Sequence, residues 1–270
     1  MKFRARNRWL TFAAAVLLLA MAAAGTLAGQ AKRKSSPAPK DDPKKVLKEV
    51  PPPFRIGEQL DYRVGWSSFA TAATVRMAVA ERRNLYGWDT WHLRAVTHTL
   101  SPLRVLFAID DEFDSYTDMR TLESRQFEMY LREQGKEEHN VLHLIPRGAP
   151  GRGNGPNVIV APGTLDPVGA LYALRQMDWQ RVPETTAPVF DGRKLYEMRA
   201  KLAASSEQIT VPAGTFPAAR IDVRVFEQGN EVPDASFSVW LAQNPPRTPV
   251  LVQAYLPFGS LRVELTGVPQ

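Results

Sequence analysis

The chain has 270 residues, of which 44% are hydrophobic, 23% charged and 9% aromatic, a composition that excludes disorder over the whole length. It contains no cysteine, which excludes disulfides, thiol nucleophiles and thiolate metal sites. The net charge of +6 comes from residues 1–50, which hold 11 of the 34 basic and three of the 28 acidic side chains. The remaining 23 basic and 25 acidic residues are interspersed, so we predict no nucleic-acid binding.

The N-terminus has the pattern of an export signal. An apolar run from Leu10 to Ala24 is followed by small residues as far as Ala31 and is preceded by four basic residues, Lys2, Arg4, Arg6 and Arg8. We predict a signal peptide over residues 1–31 and a periplasmic or otherwise exported protein. The alternative is an uncleaved anchor that tethers the protein to the inner membrane, because the apolar stretch is about long enough to span a bilayer.

Residues 32–53 combine Lys, Pro and Ser without apolar periodicity, ending in Pro51, Pro52 and Pro53. Such a segment cannot bury enough apolar surface to fold, so we interpret it as a disordered basic linker. It is either a solvated spacer or a segment that contacts anionic lipid or glycan at a membrane surface.

From residue 54 to residue 270 the apolar side chains alternate with period two, which is typical of β-strands. We predict a single β-rich domain, a strongly curved antiparallel sheet or open β-barrel of about ten strands. The first strand is marked by Leu60, Tyr62, Val64 and Trp66, and a turn at 84–87 separates the next two. The later strands are expected near 111–118, 122–133, 137–145, 193–204, 218–227, 235–242, 249–256 and 260–267.

One principal α-helix is predicted from Asp166 to about Asp178, because Asp166 is a good N-cap and Pro167 suits the first helical position. Leu171 and Leu174 lie on one side of this helix, and Val168 and Tyr172 lie on the other. A helix that is apolar over so much of its circumference is expected against the concave side of a curved sheet or in the mouth of a barrel. Packing on a flat sheet is the alternative.

Several motifs, taken in order, resemble a known family. They are Gly57–Tyr62, Asp110–Asp118, the helix Asp166–Arg175, Val211–Phe216, Val239–Leu241, Pro249 and Pro257–Ser260. Together they are similar to the bacterial exported family catalogued as domain of unknown function 3108. The resemblance implies a β-rich protein of the cell envelope with no established activity.

The acidic run Asp110, Asp111, Glu112, Asp114 and Asp118 is the strongest candidate for catalysis or cation binding. It lacks the glycine and the closing glutamate of a calcium loop, and the chain contains neither Gly-x-Ser-x-Gly nor His-Glu-x-x-His. We therefore interpret the run as a solvated strand face that pairs with arginines such as Arg120, Arg125 or Arg132, and we predict no catalytic residues.

Four histidines, His92, His98, His139 and His143, form two evenly spaced pairs whose members share a face if both lie in strands. Without a local motif this spacing is a weak indication of zinc or copper. We predict no metal and no cofactor.

The leading hypothesis is a non-enzymatic exported protein that binds a hydrophobic ligand such as lipid in the concavity of its sheet. The candidate cavity residues are Trp66, Trp91, Phe107, Leu171, Tyr172 and Trp240. The alternative is a filled core, which makes the protein an envelope scaffold or protein-interaction module. A carboxylate-dependent exported hydrolase is the third hypothesis.

Overall fold

The computed structural model describes residues 51–67, 69–149, 156–256 and 259–267. The predicted signal segment 1–31 and the linker as far as residue 50 lie outside these ranges. In the part that is described, no helix has the length and hydropathy needed to cross a bilayer.

Thirteen strands and one α-helix make up the described residues. The strands are β1 (Gln59–Trp66), β2 (Phe69–Leu85), β3 (Trp88–Thr99), β4 (Asp110–Asp118), β5 (Ser124–Glu133), β6 (Lys136–Pro146), β7 (Asn157–Val160), β8 (Glu184–Phe190), β9 (Leu195–Val211), β10 (Gly214–Glu227), β11 (Asn230–Ala242), β12 (Pro249–Leu256) and β13 (Gly259–Leu265). The helix α1 covers Pro167–Gln176, and a 3-10 turn covers Leu103–Val105. The predicted fold is confirmed, with more strands than the expected ten.

The strands form one open, curved sheet in the order β7-β6-β5-β4-β3-β2-β1-β13-β12-β11-β10-β9-β8. Neighbouring strands are antiparallel except β6 and β7, which are parallel. The sheet therefore consists of two meanders, β1 to β7 and β8 to β13. They meet where β1 pairs with β13, with Tyr62 opposite Leu265 and Val64 opposite Val263.

The chain passes from one edge strand to the other through α1. Just before the helix, the carbonyl of Thr164 accepts from the Ser124 N–H of β5 at 2.9 Å. The next residue, Leu165, donates to the Pro188 carbonyl and accepts from the Phe190 N–H, at 2.9 and 2.8 Å. These backbone hydrogen bonds link the two meanders across the side on which the sheet is open.

Helix α1 begins as predicted at Asp166, which is buried and caps the N–H of Gly169 at 2.9 Å. The same carboxylate accepts from the hydroxyls of Ser124, at 2.6 Å, and Ser115. Burial raises the pKa of Asp166, and these hydrogen bonds oppose the rise. The cap therefore also fixes the helix against β4 and β5.

The hydrophobic core fills the concave side of the sheet. Inward-facing side chains such as Leu60 of β1 and Leu93 of β3 are at most 1% exposed. Helix α1 contacts β3, β4 and β8, so its apolar circumference meets strands of both meanders. Val168, Leu171 and Tyr172 are accordingly buried on different sides of the helix.

Candidate functional site

A cleft beside the end of α1 has a volume of about 450 Å³. Its walls come from three distant parts of the chain: the segment 177–180 after α1, the β9–β10 hairpin at Leu202, Ser205 and Ala219, and the β11–β12 connection at 241–247. This volume lies within the range of about 300–1,000 Å³ that is usual for small-molecule sites.

Arg247 builds the wall between α1 and the β11–β12 connection. Its Nη1 donates to the carbonyl oxygens of Arg175, Gln176 and Met177, at 3.2, 2.9 and 2.6 Å. These carbonyls end the helix and have no partner within it, so the guanidinium satisfies them and offsets the negative end of the helix dipole. The backbone of Arg247 is left-handed, with φ of 46°, and its N–H closes a turn onto the Asn244 carbonyl at 2.9 Å.

The floor of the cleft is apolar and its rim is polar. Trp179 is 6% exposed and donates its indole N–H to the Leu174 carbonyl at 2.9 Å, while Leu241 and Ala242 are buried beside it. Gln180 and Gln243 lie at the exposed rim, and the Gln243 amide donates to the Ser205 carbonyl at 2.7 Å. This arrangement suits a ligand with an apolar body and a polar group.

The six predicted cavity residues lie in three separate places. Trp91, Leu171 and Tyr172 are at most 1% exposed and belong to the packed core, where the ring of Phe54 stands edge-on to Trp91 and Tyr172 with centroids 5.4 and 4.9 Å away. At these three positions the interior is filled, which is the alternative hypothesis given by the sequence.

The other three lie outside that cluster. Trp240 is buried under the β9–β10 hairpin, where its indole N–H donates to the Glu207 carboxylate at 2.7 Å. Trp66 and Phe107 pair edge-on, with centroids 6.2 Å apart, near the β1–β2 turn. None of the six predicted residues lines the cleft.

The acidic run of β4 divides between the two faces of the sheet. On the outer face, Asp110 forms a bidentate pair with Arg104, and Asp118 pairs with Arg125 at 3.2 Å. Burial raises the pKa of Asp114, but hydrogen bonds from His92 and Arg94 outweigh it and leave that pKa below its usual value. The outer carboxylates are therefore held in ion pairs, as expected, but Asp114 and Asp118 are buried, so the prediction of a solvated face is wrong for these two. Arg125 supplies charge to Asp118, whereas Arg120 donates its backbone N–H to Asp118 and Arg132 donates its backbone N–H to Asp111 on the inner face.

On the inner face, Asp111 and Glu133 form an unusual carboxyl pair. Burial raises the pKa of Asp111 to about 6, against a hydrogen bond from the Arg132 N–H, and burial with the nearby charge of Asp111 raises the pKa of Glu133 to about 7. Asp111 Oδ2 and Glu133 Oε1 are buried without a hydrogen-bond partner. Both groups therefore bind protons more readily than ordinary carboxyl groups do.

The histidines share the outer face, as the spacing predicted, but each takes a different aromatic or acidic neighbour. His92 stacks on Tyr116, with centroids 4.6 Å apart, and its Nε2 lies 2.5 Å from Asp114 Oδ1. His139 stacks on Tyr130 at 3.9 Å, and His98 pairs with Asp110. Within the described ranges, no three His, Asp or Glu side chains are grouped as a metal site requires.

The cleft residues were not predicted from the sequence. Asn244, Pro245 and Pro246 indicate a turn, but nothing local shows that Arg247 reaches the end of a helix that lies about 70 residues earlier. An arginine directly after a predicted Asn-Pro-Pro turn is the only sequence signal available.

A family model identifies the family to which this chain belongs. The family model described as "Protein of unknown function (DUF3108)" matches residues 61–266. The chain belongs to this family. None of the curated proteins matches it.

Several solved structures are similar to this member of the family at low sequence identity. A β-barrel-like protein of domain of unknown function DUF1849 from Brucella abortus has a TM-score of 0.50 and 12% identity, with 78% of this chain and 95% of that chain covered. A predicted lipoprotein from Parabacteroides distasonis has a TM-score of 0.37 and 12% identity, with 80% and 96% covered. A predicted exported protein with a YmcC-like fold from Bacteroides fragilis has a TM-score of 0.33 and 10% identity, with the same coverage.

Proposed function

We propose that this DUF3108 protein is an exported, non-enzymatic protein of the cell envelope that binds an amphipathic ligand in the cleft beside α1. The observation that carries the proposal is the cleft itself, an apolar floor at Trp179 and Leu241 beneath a rim of Gln180 and Gln243. Apolar pockets with a few convergent polar groups are the usual form of small-molecule sites.

Export is supported by the N-terminal sequence, where basic residues precede an apolar run and small residues follow. A non-enzymatic role is supported by the pairing of Asp110, Asp114 and Asp118 with arginine side chains, which commits those carboxylates to structure.

The binding site proposed here differs from the one expected from the sequence, which was the concavity of the sheet. Because core side chains and α1 occupy that concavity, we place the ligand at the end of the helix. The ligand is then partly exposed, in keeping with the polar rim of the cleft.

The proposal is tested with the full chain purified from its own envelope fraction, by native mass spectrometry and lipid extraction. We expect a bound amphiphile, which Ala219→Phe removes by filling the cleft. Ala80→Phe, on the exposed surface of β2, is the matched control and keeps the ligand. An unliganded mass for the wild type, or equal binding by both variants, would overturn the proposal.

The second candidate is an envelope scaffold, and the packing of Trp91, Leu171 and Tyr172 in a filled interior favours it. Cross-linking in intact cells separates the two candidates. A reproducible protein partner together with an empty cleft supports the scaffold.

A further inference from the structure

Exposed apolar side chains gather at the end of the sheet where the β1–β2 turn and the β3–β4 loop lie. We call Trp66, Phe69, Val105, Leu106, Phe107 and Tyr255 the apolar rim. Val105 is 85% exposed, Leu106 64%, Tyr255 57% and Phe69 41%. Most exposed apolar residues of soluble proteins are scattered singly, so a group of this kind indicates a contact surface.

Backbone contacts show that these residues are neighbours. Trp66 and Phe69 pair across the β1–β2 turn, and the ring of Phe107 stands edge-on to Trp66. On the other side, the Ser67 N–H donates to the Ser260 carbonyl at 2.8 Å, and Ser260 pairs with Tyr255. At this end of the sheet Trp66 lies on the inner face with Leu261, and Tyr255 lies on the outer face, so the rim takes side chains from both faces.

The β3–β4 loop holds its apolar side chains outward in a fixed shape. Leu103 is buried and anchors the loop, while the Phe107 N–H donates to the Leu103 carbonyl at 2.8 Å. Gln134, at the β5–β6 turn, donates to the carbonyls of Leu106 and Ala108 at 2.9 and 2.8 Å. These hydrogen bonds fix the backbone of the loop, so the exposure of Val105 and Leu106 is imposed by the fold.

The arrangement of residue types fits a lipid bilayer. The two aliphatic side chains, Val105 and Leu106, are more exposed than the aromatic rings of Tyr255 and Phe69. Aliphatic groups favour the acyl boundary, whereas Trp and Tyr favour the interface with the headgroups.

The chain beyond the described domain also points to a membrane. It contains the apolar run Leu10–Ala24 and a linker, residues 32–53, that holds seven Lys and Arg against three acidic residues. Basic segments of this kind are attracted to anionic lipid. A chain of 22 residues spans at most roughly 70 Å. An eight-residue strand such as β1 spans only about 26 Å. The linker is therefore long enough for either end of the domain to reach the same bilayer.

We propose that the apolar rim docks the domain on a lipid bilayer. Val105 and Leu106 enter the acyl boundary, and Trp66, Phe69 and Tyr255 lie at the headgroup level. The contact is separate from the cleft beside α1, to which none of these residues belongs.

The test uses the full chain, which has no native cysteine, with Val105→Cys as a single site for an environment-sensitive fluorophore. The protein is reconstituted in vesicles of phosphatidylethanolamine and phosphatidylglycerol that contain a lipid-borne quencher. Val182→Cys, an exposed valine just before β8, is the matched control. We expect quenching at residue 105 to be several-fold stronger than at residue 182 and to fall when Leu106→Asp is added.

Only protein recovered with the vesicles by flotation is measured, so quenching reports the orientation of the domain and not the amount bound. Circular dichroism verifies that each labelled variant is folded, and Phe107→Cys replaces any that is not. Equal quenching at both positions, or none at either, would overturn the proposal. Energy transfer between labelled copies without lipid would overturn it too, because a second copy would then cover the rim.

Discussion

The guanidinium of Arg175 and the carboxylate of Glu58 form a bidentate ion pair inside the domain, with N–O distances of 2.7 and 2.9 Å. Arg175 is fully buried and Glu58 nearly so. Arg175 also donates to the Pro246 carbonyl at 3.0 Å and lies over the rings of Phe54 and Tyr172. One side chain of α1 thereby connects the helix to the start of β1 and to the β11–β12 connection.

Removing one member of this pair is expected to destabilise the domain strongly. Glu58→Gln leaves the Arg175 cation buried without a counter-charge, and we expect it to lower the free energy of unfolding by about 3–5 kcal/mol. The double variant Glu58→Leu with Arg175→Met removes both charges. We expect it to lower the free energy of unfolding less than Glu58→Gln does. Urea unfolding followed by fluorescence measures both.

The exposed pair Asp61–Arg76, with an N–O distance of 2.7 Å, is the control for burial. Asp61→Asn is expected to change the urea midpoint little, since exposed ion pairs contribute little. If Glu58→Gln and Asp61→Asn behaved alike, burial would not be the source of the Arg175 effect.

The Asp166 cap of α1 is expected to contribute more to the free energy of unfolding than an ordinary N-cap does. Asp166→Ala removes the partner of the Gly169 N–H and also leaves the hydroxyls of Ser115 and Ser124 without their acceptor inside the protein. Adding these effects gives an expected loss of about 2–4 kcal/mol, measured by thermal or urea unfolding. Asp178→Ala, exposed just beyond the helix, is the control. A loss of only about 1 kcal/mol for Asp166→Ala would show that the hydroxyls contribute nothing.

The carboxyl pair makes stability depend on pH in an unusual direction. Because the folded pKa of Asp111 rises from 3.8 to about 6 and that of Glu133 from 4.5 to about 7, the folded state binds more protons than the unfolded state between about pH 4 and 7. The contribution of this pair is therefore present at low pH and lost as the pH rises through that window.

Asp111→Asn with Glu133→Gln is expected to abolish this loss, as urea unfolding at a series of pH values will show. His143 acts in the opposite sense, because burial lowers its pKa and its contribution appears as the pH rises towards 6.5. The decisive quantity is thus the difference between the double variant and the wild type at each pH. A difference independent of pH would contradict the assignment.

The β8–β9 turn approaches β5 closely at Gly192, where the nearest atoms belong to the flexible side chain of Met129. Gly192 has φ of +96°, and a Cβ at this position would lie 2.6 Å from Met129 Cε. Gly57 has φ of +83° with open space around it, so Gly57→Ala reports the cost of the backbone conformation alone, about 1–2 kcal/mol. We expect Gly192→Ala to cost about 1 kcal/mol more in urea unfolding, since the flexible Met129 can move only in part. Equal losses would show that β5 yields freely.

Local patterns predicted most of the fold because they are written in neighbouring residues. Alternation placed β1 and β12 almost to the residue, and the Asp166–Pro167 pair placed the start of α1. The missed strands are the two edges of the sheet. β7 has only four residues, and β8 contains Pro188, which cannot donate to a ladder and weakens the pattern of a strand.

Local sequence patterns could not predict the candidate site, for a different reason. Its walls come from the segment 177–180 after α1, from β9 and β10 and from the connection around Arg247, and the folding of the second meander brings these together. The alternation of apolar side chains correctly predicted that Trp91 faces inward. It could not predict whether the space that Trp91 faces is filled. That depends on where the helix lies, and the ring of Tyr172 sits 4.9 Å from Phe54, which itself packs on Trp91.

The pairing of β1 with β13 determines when the domain can be completed. Tyr62 and Leu265 are opposite one another although about 200 residues separate them in the chain. Such distant pairing carries a large loop-closure entropy and makes folding slow. A growing or translocating chain lacks its central seam until residues 259–265 have emerged, and until then neither meander has its inner partner. The order of the strands thus delays completion of the sheet until β13 is available to pair with β1.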